Sequence, residues 1–262
     1  MPEYPLKNRV GIVTGATAGI GEAIADSLVE LGACVVLNGR REEVLKRMLA
    51  RYGGEDVSCV SGDAADESVI EKLLNAAREM LGHPGQEADV VVINAGRGLR
   101  GSVIDSDSAQ WEEMIRTNLL GAARLLRASA NRMLAEIAAS PDMPLSKARD
   151  IVVIGSTVGR HVSPFSSMYG ATKFGVHGLV EGARRELGPK GIRVTLIEPG
   201  FVESEFQGVA GYDPKWFEGV RDRIGPVLTP KDVAELVTWI VSRPAHVHVS
   251  DALLRPTRQD YP

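Results

Sequence analysis

Six short apolar runs constrain this chain more than any other feature of it. They read "RVGIVTG", "ACVVLNG", "VSCVSGD", "DVVVIN", "DIVVIGS" and "RVTLIEP". They are rich in β-branched residues, and as a set they lack the strict polar alternation of a strand with one wet face. They therefore predict strands covered on both sides. Amphipathic stretches such as 20–31, 66–80, 110–138 and 170–187 lie between them. Alternating strand and helix units pack as an α/β, doubly wound parallel sheet with helices on both faces. "HVSDALLRP", near the end, is a candidate last strand.

With 262 residues and 44% apolar side chains, the chain can bury a sizeable core in one domain, 1–262. No internal repeat or linker divides it. "GHPGQEAD" (82–89) and "ASPDMPLSKARD" (139–150) read as surface loops. The segment 203–226, with Gly208, Gly211, Pro214 and Gly225, breaks the pattern late and is a candidate substrate lid. A formal charge of −4 gives no electrostatic case for nucleic acid. No apolar run reaches the roughly 18 residues of a membrane span. The first residues carry no apolar signal-peptide core, and Cys34 and Cys59 sit in β-like runs as reduced core residues, so a cytoplasmic protein is expected.

"VTGATAGIG" leaves the first strand and enters a helical pattern. Gly15 suits a tight turn, Gly19 lets a pyrophosphate approach the backbone, and Gly21 lets the helix pack close to the sheet. The helix N-terminus beyond offers free N–H groups to phosphate. The spacing is G-x-x-x-G-x-G, which differs from the G-x-G-x-x-G dinucleotide fingerprint, and a turn that binds nothing is the alternative. The second strand ends in Asn38-Gly39-Arg40-Arg41. An acid at this point accepts from a ribose 2′-OH, whereas a guanidinium pairs with a 2′-phosphate. Arg40 and Arg41 thus favour NADP(H) over NAD(H); otherwise they only solvate the start of the next helix.

"SSMYGATKFGVHGLV" places Tyr169 and Lys173 four residues apart, on one face of a helix. A tyrosine is a poor base at neutral pH, and a nearby ammonium favours its phenolate. Ser156 ends the strand "DIVVIGS", where parallel sheets build their sites. Asn118 falls in mid-helix, where asparagine has poor propensity.

With these motifs in order, the chain resembles the short-chain dehydrogenase/reductase family along nearly its whole length. "TGATAGIG", "GDAAD", "NAG" (94–96), "TNLLG", "IGSTVG", "YGATK" and "IEPGFVES" carry the resemblance. "IEPGFVESEF", "LTPKDVAELVTWIVSRPAHVHV" and "LRPTRQ" resemble its NADP-dependent serine/3-hydroxy acid dehydrogenase branch and the related clavulanate-type reductases. The resemblance implies a Rossmann-like fold and a homotetramer built through the long helices carrying Asn118 and Tyr169. It implies that Tyr169 is the general acid/base and that Lys173 binds the nicotinamide ribose and lowers the Tyr169 pKa. Ser156 would hydrogen-bond the substrate oxygen, and Asn118 would hold a water in the proton relay. Cofactor contacts fall to Gly15, Thr17, Gly19, Ile20 and Gly21 in the turn and to Arg40 and Arg41. Asp63 and Ala64 would meet the adenine. Asn94, Ala95 and Gly96 would support the middle of the cofactor, and Pro199, Gly200, Val202 and Ser204 its nicotinamide end. Two departures stand out: Ile93 precedes Asn94 where the family often has a second Asn, and Ser204 replaces a common Thr.

Other residues leave two uses open. His246 and His248 could share a strand face, but no third ligand is evident and no metal is expected. Arg160 and His161 either touch substrate or solvate a loop, and Trp216 and Phe217 either cover substrate or pack the lid. Asp105 and Asp107 read as acids at the start of a helix near Trp111. The expected function is NADP(H)-dependent hydride transfer on a small carbonyl/alcohol substrate, with no nucleic acid, membrane or metal partner. A small 3-hydroxy acid such as serine or 3-hydroxypropionate fits the late-chain resemblance, its carboxylate taken by Arg97, Arg100, Arg160 or Arg255. The alternatives are a bulkier ketone, such as a 3-oxoacyl thioester or natural-product intermediate, and a non-catalytic NADPH sensor.

Overall fold

The computed structural model describes residues 5–80, 83–139, 145–161 and 163–261. All six apolar runs are strands: β1 (Val10–Val13), β2 (Cys34–Gly39), β3 (Val57–Ser61), β4 (Val90–Ile93), β5 (Asp150–Ile154) and β6 (Arg193–Pro199). "HVSDALLRP" supplies β7 (Asp251–Leu254). All pair in parallel, in the order β3-β2-β1-β4-β5-β6-β7. The chain winds outward from β1 to β3, then returns to start again at β4 beside β1. That reversal opens a crevice at the carboxyl ends of β1 and β4.

The helices are α1 (Gly19–Glu30), α2 (Glu42–Tyr52), α3 (Glu67–Arg78), α4 (Trp111–Ile115), α5 (Ala122–Ala138), α6 (Ser167–Leu187), α7 (Phe206–Val209), α8 (Pro214–Ile224) and α9 (Pro230–Val241). They cover both faces. Ile24 and Leu28 of α1, Leu45 and Met48 of α2, and Val233, Val237 and Ile240 of α9 pack on one side of the sheet. Leu73 of α3, Leu125 and Met133 of α5, and Val176 and Val180 of α6 pack on the other. Local chemistry sets the boundaries. Gly53 ends α2 in the left-handed conformation at φ 64°. Thr229 and Asp232 form a reciprocal capping box on α9, with Pro230 in its first turn.

Three expectations need adjustment. Asn118 lies in a π-helical turn, Arg116–Gly121, which joins α4 to α5. His246 and His248 precede β7 rather than riding on a strand. His248 Nε2 lies 3.1 Å from the Val194 carbonyl, and no metal-ligand cluster exists among the described residues. Asp107 does cap a short turn at Ser108–Gln110, whereas Asp105 accepts from Ser102 instead. Of the two expected loops, residues 82 and 140–144 lie outside the described residues. Cys34 is buried and Cys59 half-buried, both as free thiols.

The segment after β6 forms α7 and α8. It has its own small core, in which Phe217, Val220 and Ile224 pack with Phe201 and Val227. Phe217 therefore packs this segment. Trp216, beside it, stacks on Tyr212 at 4.9 Å between ring centroids.

At the opposite end of the sheet, buried charges fix where strands begin. Arg193, the first residue of β6, grips Asp150, the first of β5, through two bonds of 2.7 Å. Arg9 bridges Asp150 at 2.7 Å and Asp89 at 2.8 Å. Asp150 is fully buried, and Arg193, whose only carboxylate it is, would be left uncompensated in the interior without it, while Arg9 would keep Asp89. Asp150→Asn should lower unfolding free energy by about 3–5 kcal/mol. Urea denaturation of the variant checks this, and an unchanged midpoint would contradict it.

Candidate active site

The site begins at a clasp between β1 and β4. Thr14 Oγ1 accepts from the amides of Asn94 and Ala95, both at 3.1 Å. In return, Asn94 Nδ2 donates to the carbonyls of Thr14 at 2.9 Å and Gly15 at 3.2 Å. The exchange holds the glycine turn against the 94–96 loop. Gly15 and Gly19 take positive φ angles of 64° and 57°. A Cβ on Gly21 would stand 2.2 Å from the Gly15 carbonyl oxygen and 2.5 Å from Asn94 Nδ2. Glycine at 21 is therefore required by the clasp itself.

Beyond the turn, α1 begins at Ala18 with no side-chain cap. Its first N–H groups are open to an anion, supported by the helix dipole. This uncapped N-terminus faces a cleft of about 860 Å³. Gly15, Thr17, Gly19, Ile20, Arg40, Arg41, Asp63, Ala64, Asn94, Ala95 and Gly96 line that cleft, and so do Ser156, Tyr169, Lys173, Pro199, Gly200, Val202 and Ser204. Of the expected catalytic and cofactor residues, only Gly21 and Asn118 do not line it. The open amides and glycines at the α1 terminus suit a phosphate group.

The two arginines differ. Arg41 donates to the Thr17 carbonyl at 3.0 Å and pairs with Glu205 at 3.1 Å, linking the glycine turn to the segment before α7. Arg40 is exposed and only brushes Glu113, at 3.5 Å. Asp63 accepts from the Ala65 amide at 2.9 Å and is paired with Arg116.

Across the cleft, β5 delivers Ser156, and the first turns of α6 deliver Tyr169 and Lys173. Burial pushes the Tyr169 phenol well above its ordinary value, while a hydrogen bond with Ser156 opposes that shift. Lys173 Nζ lies 5.9 Å from the Tyr169 ring centroid and donates to the Ile154 carbonyl at 2.8 Å. Burial pushes its pKa down to about 8. Asn118 holds protein groups. Its Oδ1 accepts from the Arg97 amide at 2.8 Å, and its Nδ2 donates to the Arg97 carbonyl at 2.9 Å and to Thr172 Oγ1 at 3.1 Å. Thr172 Oγ1 in turn donates to the Tyr169 carbonyl at 2.7 Å. The widened π-helical turn thus ties the 94–97 loop to the turn bearing Tyr169.

The outer cleft carries Trp216, whose use the sequence left open, together with residues that no motif announced. Phe165, Phe206, Val209, Tyr212 and Trp216 form an apolar wall, with Phe165 66% and Val209 60% exposed. Tyr169 packs on Phe206 at 5.7 Å. Lys215, Arg223, Gln259 and Tyr261 also reach the cleft. Two of the four arginines expected to meet a carboxylate are engaged by protein side chains. Arg97 pairs with Glu113 and Gln110. Arg160 forks onto Glu198, at 2.8 Å through Nε. Arg100 and Arg255 are not on the wall.

A family model described as short chain dehydrogenase matches residues 9–213. An uncharacterized oxidoreductase of Staphylococcus aureus (strain MW2) is 33% identical over 96% of this chain and 98% of its own length. Serine dehydrogenase, in its closed form complexed with NADP+, superposes with a TM-score of 0.81 at 31% identity over 96% of each chain. An alcohol dehydrogenase from the archaeon Thermococcus sibiricus, complexed with 5-hydroxy-NADP, gives 0.77 at 26% identity, over 97% of this chain and 99% of its own.

The burial of Lys173 has a direct consequence. As pH rises through about 8, the unliganded protein should lose the Lys173 proton, while exposed lysines hold theirs to about 10.4. A titration of lysine side-chain NMR shifts, assigned with Lys173→Met, reads this midpoint. An ordinary lysine midpoint would show that water solvates the ammonium.

Proposed function

The chain belongs to the short chain dehydrogenase family, and we propose that it is an oxidoreductase using NADP(H) in preference to NAD(H) on a carbonyl/alcohol pair. The observation that carries this reading is one cleft holding the uncapped α1 terminus, two arginines, and Ser156, Tyr169 and Lys173 together. The α1 amides with Gly15, Thr17, Gly19 and Ile20 would hold the diphosphate, and Gly21 lets the turn close. Arg40 and Arg41 would take the 2′-phosphate, and Asp63 and Ala64 the adenine. Asn94, Ala95 and Gly96 would flank the middle of the cofactor. Pro199, Gly200, Val202 and Ser204 would flank its nicotinamide, and Lys173 its ribose hydroxyls. When bound, the nicotinamide supplies or accepts the hydride.

The chain's own residues manage the oxygen. Ser156 Oγ donates to the substrate oxygen and orients it. In reduction Tyr169 Oη gives its proton to that oxygen, and in oxidation it takes the proton back. Lys173 keeps a positive charge near the ring, which favours the phenolate once the proton has left. Asn118 acts at one remove, holding the turn that presents Tyr169.

For the substrate, the apolar wall supports a carbonyl compound with a bulky apolar body, such as an aryl ketone. A small 3-hydroxy acid is the second reading, supported by the likeness to serine dehydrogenase. Lys215 would then be the cation available, since Arg97 and Arg160 are paired with acids. Leu120 and Phe174, exposed on the helical face that includes the Asn118 turn and α6, support the expected homotetramer.

Absorbance at 340 nm tests the reading, with aryl ketones, 3-hydroxy acids and their methyl esters run with both cofactors. Aryl ketones should be reduced most efficiently. Acids that outperform both ketones and esters would reverse the substrate assignment. Tyr169→Phe should fold, bind NADPH and lose roughly 10²- to 10⁴-fold in turnover. Near-normal turnover would reject the proton donor. Arg40→Asp removes a charge-assisted contact worth roughly 1.5–3 kcal/mol, so the preference for NADPH over NADH should fall about ten- to a hundredfold. An unchanged ratio of efficiencies would exclude Arg40 as the phosphate partner.

A further inference from the structure

The amide of Ser156 lies just past the end of both ladders of β5, which close at Val153 and Ile154. Its acceptor is a side chain, Nε2 of His177, at 3.4 Å. The imidazole comes from the middle of α6 and lies in a slot between Gly155 and Gly159. A Cβ on Gly155 would stand 2.6 Å from Nε2, and one on Gly159 2.4 Å. Neither glycine has a positive φ, so what glycine provides at both positions is room for the ring. On the far side of the ring, Nδ1 lies 3.6 Å from Oε2 of Glu198. Glu198 sits on β6 with no exposure to solvent. Arg160, at the end of the same loop, also forks onto Glu198. The loop that carries Ser156 is thus fastened to a buried carboxylate by Arg160 at its end, and at its start by His177, whose ring lies beside the same carboxylate.

We propose that His177, oriented by Glu198, is a positioning residue that fixes the Ser156 hydroxyl, and that protonation of His177 releases it. This rests on the assignment of Ser156 to the substrate oxygen. The neutral ring carries its proton on Nδ1, toward Glu198, and leaves the Nε2 lone pair for the Ser156 N–H. The charged groups around the ring are Glu198 from β6, Lys173 one turn earlier on α6, and Arg160 from the loop. Burial holds the His177 pKa below its ordinary value. Glu198 opposes that shift, and Lys173 and Arg160 reinforce it. As pH falls through this lowered value, Nε2 gains a proton. Two donors then face each other, and the bond to Ser156 is lost.

Two variants separate positioning from packing. His177→Phe keeps a ring but no acceptor, whereas His177→Gln keeps a polar atom near the place of Nε2. With NADPH and an aryl ketone, the Phe variant should lose about tenfold to a hundredfold in kcat, with the NADPH dissociation constant unchanged. The Gln variant should retain most of the turnover. Wild-type turnover should also fall on the acid side of the ordinary histidine value, and the Gln variant should lack that limb. Full turnover in the Phe variant, or equal damage in both, would overturn the proposal. A second readout needs no substrate. Long-range ¹H–¹⁵N correlation on the unliganded full chain should show His177 as the Nδ1–H tautomer, with Nε2 unprotonated. The Nε2–H tautomer would overturn the proposal whatever the substrate proves to be. The expected tautomer in a protein inactive on every carbonyl tested would leave the His177 contact standing and count against the reading of function instead.

Discussion

The exchange of hydrogen bonds between Thr14 and Asn94 is the contact on which the rest of the site depends. It lies where β1 and β4 part, so it converts a topological reversal into a cleft of fixed width. Both partners are needed, because each satisfies backbone groups that the sheet has stopped pairing. The clasp also sets the glycine requirement nearby. With Asn94 Nδ2 seated on the Gly15 carbonyl, no side chain fits at position 21, and α1 can start close to the sheet with its amides open. The glycine turn is a packing solution in its own right, whatever it holds.

Stability and chemistry occupy opposite ends of the strands. At their starts, Arg9, Asp89, Asp150 and Arg193 are paired and nearly dry. At their ends, polar groups are buried but partly committed: Ser156 to Tyr169, Lys173 to a single carbonyl, Asn118 to the 94–97 loop. A charged lysine has three donors, and only one is used here. The cost of burying Lys173 appears as its lowered pKa, and a buried tyrosine pays in the opposite direction. Each shift favours the neutral form of its group, so the unliganded site resists charge until other groups enter it.

The sheet was legible because strands buried on both faces leave continuous apolar runs. Tyr169 and Lys173 were legible because a helix converts a spacing of four into a shared face. What escaped the sequence was carried by contacts distant along the chain. Arg160 reads as a loop cation, and nothing local announces that Glu198 on the next strand claims it. His177 sits in an unremarkable helical stretch, and its importance comes from two glycines about twenty residues upstream that make room for it. Asn118 did give a signal, as a poor helix former in mid-helix. The signal marked a π-helical turn and a clamp on the 94–97 loop.

The division of labour along the chain bears on what can change in such a protein. Ser156, Tyr169 and Lys173 all lie before residue 174, just past β5 and on α6. The apolar outer wall comes mainly from Phe206, Val209, Tyr212 and Trp216, on a segment with its own small core. The Val202–Leu228 bridge joins the two ends of that segment, and Gln259 of the tail after β7 accepts from the Phe201 amide through Oε1 at 3.0 Å. The segment's link to the cofactor side, Arg41 to Glu205, is solvent-exposed, and such pairs contribute about 0–1 kcal/mol. Val209 and Trp216 can therefore change with less effect on Ser156, Tyr169 and Lys173 than Phe206, which packs on Tyr169. Relatives that share the chemistry should differ most in this segment, and a likeness over the whole chain says less about substrate than about family.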